Sequence, residues 1–76
     1  MSTVRLSEQD NVAVAVKAVE PGESGAIEAI PQGHKVSLRK IKQGEPVRKY
    51  AQVIGYAAVD IPAGAHVHTH NLEFRN

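Results

Sequence analysis

Histidines stand at positions 66, 68 and 70 in the stretch GAHVHTHNLEF, and the whole chain has only four. Imidazole titrates near neutral pH and is the commonest protein ligand for a metal, so this spacing raises acid/base or metal chemistry. On a strand, positions i and i+2 lie about 6.5 Å apart on one face. Two such rings can share a cation at bonds of about 2.0–2.1 Å if they converge. The three together span about 13 Å, so a flat strand cannot aim all of them at one ion. Two of the three, or a bent strand, is the workable arrangement, with open positions left for substrate or a partner's residues. The competing reading is an exposed ladder of histidines with no role. A purification tag is excluded, because Val67 and Thr69 are interleaved in register.

The elements that must carry these residues are written in valine, alanine and glycine. NVAVAVKAV, from Asn11 to Val19, alternates β-branched with small residues, the pattern of a strand covered on both faces. HKVSLRKI, from His34 to Ile41, predicts Val36 and Leu38 inward and Lys35, Ser37 and Arg39 outward. QVIGYAAVDI is a third strand pattern, and Gly55 inside it predicts a bulge or a close backbone approach. A recurring template, aliphatic-x-x-Gly, ends at Gly22, Gly33, Gly44 and Gly64, and three copies read IPQGHKV, IKQGEPV and IPAGAHV. Glycine supplies the positive φ of a tight turn, and the template predicts strand, bulged hairpin loop, strand. No segment has a helical period. The expected fold is all-β: one domain over residues 1–76, made of short strands joined by tight glycine turns. Val67 takes the inward place of Val36 and Val47 in its template. The histidines then face the other way, along an edge and not in the core.

Composition narrows the functional classes. Seventy-six residues make a thin core, so partners are expected. The absence of cysteine excludes disulfides and thiolate metal sites. Lys35, Arg39, Lys40, Lys42, Arg48 and Lys49 crowd one segment with only Glu45 against them, either a solvated edge or a surface for a small anion or an acidic partner. Nucleic acid is not expected as a partner, because one Phe, two Tyr and no Trp offer no stacking platform. No apolar run suggests a signal peptide or a membrane span, so the expected setting is the cytoplasm, with no membrane partner.

Four stretches occur in order: DNVAVAV, IPQGHKVSL, VRKYAQVIGYA and DIPAGAHVHTHN. Together they resemble the SAF (antifreeze-like, β-clip) domain of the altronate and galactarate dehydratase family, including the small subunit of sulfolactate sulfo-lyase. The closing HVHTHN and the triplet Gly33-His34-Lys35 carry most of the likeness. One departure is Ala51, where the family pattern leads one to expect glycine after the tyrosine.

The resemblance implies a β-clip fold and a lyase that removes water, or sulfite, from a hydroxy acid. It implies iron or another divalent metal as cofactor. It implies that the chain is a small subunit or an amino-terminal domain, partnered by a larger catalytic subunit or a carboxy-terminal domain. An opening Met1 and a stop after the last strand suit either a small subunit or an excised domain. Inactivity in isolation and self-association are further expectations. His66, His68 and His70 are the expected metal ligands, and His68 and His70 the expected proton-transfer residues. Asp10, Asn11, His34 and Lys35 are expected at the substrate or an interface. A sugar-acid dehydratase is the leading reading and a sulfolactate sulfo-lyase subunit the second. A non-catalytic SAF module binding carbohydrate or protein is a different class, as is an independent small metalloprotein. Asp10 and Asn11 also suit a simple turn before a strand, and Tyr50 and Tyr56 suit packing with a wet hydroxyl.

Overall fold

Alternating valine and alanine at positions 12–15 produces a strand that feeds two cores at once. Val12 enters one cluster with Ile41, Val47, Ala57, Ile61, Ala65, Val67 and Leu72. Ala13 and Ala15, on the other face, enter a second with Val19, Ala26, Ile30 and Val36. Both cores are aliphatic. The computed structural model describes residues 2–5 and 7–75. Its strands are β1 (Thr3–Val4), β2 (Val12–Ala15), β3 (Lys35–Ser37), β4 (Pro46–Lys49), β5 (Gln52–Ala57), β6 (His66–Val67) and β7 (Leu72–Glu73), with one 3₁₀ turn at Glu23–Gly25. One sheet has the order β1-β2-β3-β6 and the other β4-β5-β7. Every pairing is antiparallel. The fold is all-β, as the sequence predicts, and β2 lies inside its sheet. No helix among the described residues is long and apolar enough to cross a membrane.

The glycine template works, but as a corner and not as a hairpin. Gly22, Gly33, Gly44 and Gly64 all have φ between 82° and 89°. In each copy the residue after glycine donates its N–H to the carbonyl three residues back: Glu23 to Glu20, His34 to Pro31, Glu45 to Lys42 and Ala65 to Pro62. Glycine is therefore the third residue of the turn, and no positive φ occurs at the second, which defines type II. The flanking segments do not pair with each other. Val19 bridges Ile30 and Ile41 bridges Ile61. After the turn, Gly33 and Gly44 bond to Ala15 and Ala57. Each template thus hands the chain from one pairing partner to another.

Two further expectations are corrected. Ser37 points inward and Leu38 outward, at 3% and 41% exposure. The strand ends at Ser37, and its hydroxyl donates to Pro62 O at 2.6 Å and accepts from Ala65 N at 3.0 Å. A buried serine with both roles satisfied is stable where a lone hydroxyl is not. Tyr50 does not pack; it is 57% exposed. Gly55 does mark a close approach, since a Cβ there would lie 3.0 Å from Glu73 O. The bulge is beside it, at Ile54, because Val47 pairs with Gly55 while Arg48 pairs with Val53.

Tyr50-Ala51 forms a two-residue hairpin loop between the paired Lys49 and Gln52. Both residues have positive φ, 56° and 62°, the mark of a type I′ turn. Asp10 holds it: its carboxylate accepts the amides of Tyr50 at 3.0 Å and Ala51 at 2.7 Å. Asn11 binds the same hairpin further along, accepting from Arg48 N and donating to Pro46 O. Left-handed conformation costs an L-residue about 1–2 kcal/mol, a penalty glycine escapes. Ala51→Gly is therefore expected to raise stability by about 1 kcal/mol, read from urea melts. A lower midpoint in the variant would contradict the turn geometry.

Candidate metal centre

β3 and β6 create the site by register. Val36 pairs with His66 and Lys35 with Val67, which puts His34 across from His68. Paired residues share a face, so His34, His66 and His68 stand on the side of Val36 and the second core. Val67 lies on the opposite face in the first core. The histidines do point away from Val67, but they rim a core and are not a bare edge. After Val67 the strand stops. Asn71 Oδ1 accepts His68 N, Asn71 N donates to His68 O, and Asn71 Nδ2 donates to His66 O. This turn curls His68 back over His34.

Three imidazoles result, with one nitrogen from each within 4.8 Å of the others. His34 and His68 rings stack at 4.0 Å with an 18° tilt. His34 Nδ1 and His66 Nε2 are 2.8 Å apart, at hydrogen-bond distance. His70 is exposed, with its ring 5.1 Å from His66 and outside the donor group. The structure thus joins His34 to two of the three clustered histidines. Asp10 and Asn11 instead lie buried against the hairpin backbone. Lys35 is half-buried on the face opposite His34.

The electrostatics favour neutral rings at His66 and His68. Burial first, then His34, His70 and His68, push the His66 pKa down, and Glu28 offsets part of this. The Glu28 carboxylate also accepts His66 N at 3.0 Å. His68 is lowered as well, by desolvation and then by His34, Lys35 and His70. Lys35 is lowered by burial and then by Lys49. A histidine with a lowered folded pKa binds its proton less readily than in the unfolded chain. Protons then favour unfolding between the two values, so stability is full above the ordinary 6.5 and falls as pH drops below it. We expect denaturation midpoints of the metal-free chain to fall from pH 7.5 to pH 5, and His66→Gln to flatten that slope. A midpoint rising toward pH 5 would overturn the sign.

The donor set suits a borderline divalent cation. Bonds of about 2.0–2.1 Å in tetrahedral geometry put nitrogens about 3.3 Å apart, inside the range these rings bracket. Neutral imidazole is the form that binds metal. The stacked planes must turn for their lone pairs to converge, and none of the three rings is fully buried. Three protein ligands leave a coordination position for substrate, as catalytic centres do. Ser37, Asn71 and Glu28 were missed in the sequence. Of these only Asn71 carries a local signal, a turn-forming residue closing the HTHN stretch.

The fold and this cluster define a small β domain that presents a histidine group at its rim. The family model for the altronate/galactarate dehydratase SAF domain matches residues 1–75. An altronate dehydratase of Bacillus subtilis is 37% identical over 80 residues, covering 95% of this chain and 16% of its own length. The galactarate dehydratase (L-threo-forming) of Escherichia coli is 41% identical over 69 residues, 82% of this chain and 13% of its own. The (2R)-sulfolactate sulfo-lyase subunit alpha of Paracoccus pantotrophus is 52% identical over 44 residues, 58% of this chain and 66% of its own. This chain belongs to the altronate/galactarate dehydratase SAF domain family. It spans only 13–16% of the length of these two dehydratases.

Proposed function

We propose that the chain serves a hydroxy-acid lyase, foremost a sugar-acid dehydratase, as the SAF part that works with a larger catalytic portion. The observation behind this reading is the His34–His66–His68 group in a chain of this family. β-Elimination needs a proton removed beside the carboxylate and help for the departing hydroxyl. A divalent metal such as iron, held by His34, His66 and His68, would supply Lewis acidity there. His70, exposed beside His66, is suited to move a proton at its ring nitrogen. In this reading His34 becomes a ligand in place of a substrate contact, and His70 leaves the ligand set and keeps its expected proton-transfer role. A cytoplasmic setting belongs to the same reading. The second reading, a sulfolactate sulfo-lyase subunit, is favoured by the 52% identity to subunit alpha.

Reconstitution tests both. A groove of about 210 Å³ among the described residues, between Val53 and Tyr56 and beside Phe74 and Arg75, contains none of the histidines. Ligand pockets usually enclose about 300 Å³ or more. The chain alone is therefore expected to be inactive, and its complex with the larger portion to turn over altronate, galactarate or sulfolactate. Turnover by the chain alone would refute the shared site. An inactive complex that binds carbohydrate would favour a non-catalytic module.

A further inference from the structure

The strand that carries the clustered histidines is short, and one side chain closes it. β6 is His66–Val67, and its pairing with β3 ends at Val67. Continued flat, it would hold His66 and His68 in line about 6.5 Å apart and carry His70 on with them. Instead the chain turns, and Asn71 binds the turn through both its side chain and its backbone. Asn71 Oδ1 accepts His68 N at 3.0 Å, and Nδ2 donates to His66 O at 2.9 Å. Its own N–H donates to His68 O at 3.1 Å. Its carbonyl accepts Ala58 N at 3.0 Å, which ties the turn to the second sheet just past β5. Asn71 is 7% exposed, so these bonds are shielded from water. An amide offers one acceptor and one donor side by side, as the two histidine backbones require. Aspartate has no donor for His66 O, and alanine leaves both backbone groups without this partner.

We propose that Asn71 is the positioning residue of the histidine group: its amide clip sets His68 against His34 and so assembles the three-nitrogen donor set. Its hydrogen bonds all go to backbone atoms, so it acts through His66 and His68. The metal arm of the test below rests on the ligand set in the lyase reading; the ring arm does not.

The full chain, free of metal, is compared with Asn71→Ala at pH 7.5 by NMR. Wild-type His34 and His68 ring protons are expected to carry the upfield shifts of stacked rings, and the variant to lose them while amide signals of β2 and β3 stay in place. Stacking shifts kept in the variant overturn the proposal. Co(II), read by its visible absorption, is then expected to bind the variant about 10-fold or more weakly. A merely structural role predicts a lower melting temperature with ring shifts and Co(II) affinity of the folded chain unchanged. Equal Co(II) affinity in both chains sinks the role of Asn71 and leaves the metal reading. A wild type that binds no Co(II), but whose stacking depends on Asn71, sinks the metal reading and leaves the positioning role. Asn71→Asp takes the same measurements if Asn71→Ala does not fold. Failure of both to fold makes Asn71 a folding residue and overturns the narrower role.

Discussion

Gly64→Ala is expected to destabilise the chain by about 3 kcal/mol or more, a large share of the stability of a domain this small. Two penalties combine. The residue has φ 82°, and a Cβ would lie 2.3 Å from Gly25 O. The obstacle is backbone on both sides, so no side chain can swing away. Gly64 O accepts from Ile27 N at 2.9 Å, and Gly64 N donates to Ser37 O at 2.9 Å. Moving either partner breaks a buried bond. Gly33 is the control. Its φ is also 82°, but nothing lies within 4 Å of its Cβ position. Gly33→Ala is expected to lose only about 1–2 kcal/mol, and Gly33→Val at least about 1. Chemical melts of the pair separate strain from collision. Equal losses would mean that the 20–28 loop does not press on this turn.

His34→Gln, His66→Gln and His68→Gln are each expected to lower turnover of the assembled enzyme by about 10²-fold or more, the scale of a lost acid/base group. Each is also expected to lose bound metal, measured by elemental analysis of the purified complex. His70→Gln is expected to lose activity while keeping metal, because its ring stands outside the donor group. Glutamine keeps a polar side chain at the rim, so folding should persist. A purely structural rim predicts the reverse: weaker folding or assembly, with turnover per complex unchanged. Full activity in all four variants would leave the cluster without a chemical role.

Much of this fold was legible because period-two alternation and glycine turns are local signals. Val12 to Ala15 showed a strand covered on both faces, and Gly22, Gly33, Gly44 and Gly64 showed positive φ. What the turns join is not local. The template at Ile30 to Gly33 read as a hairpin loop joining two paired strands, but Ile30 pairs with Val19 instead. Ser37 read as outward because alternation treats serine as wet, whereas two hydrogen bonds across 25 and 28 residues keep it dry. The triplet drew the eye to the site, but spacing along one strand could not include His34. Only the β3–β6 register brings it in, 32 residues from His66. Asp10 and Asn11 were recognised as polar residues at a strand entrance, and the hairpin they hold lies 35 to 41 residues downstream.

That register has a kinetic meaning. Bringing His34 to His66 closes a loop of 32 residues, whose length alone costs about 3 kcal/mol of chain entropy. Inside that loop the β4–β5 hairpin can form locally, but Ile41 waits for Ile61 and Tyr56 for Glu73. Chains dominated by such distant pairings fold over about milliseconds to seconds. The three imidazoles meet only when β3 and β6 have found each other. A chain still emerging from the ribosome, with β6 not yet made, lacks His66 and His68, so the cluster exists only after synthesis of nearly the whole domain. Assembly of the cluster and completion of the fold are then one event, and anything the three imidazoles are to hold must wait for it.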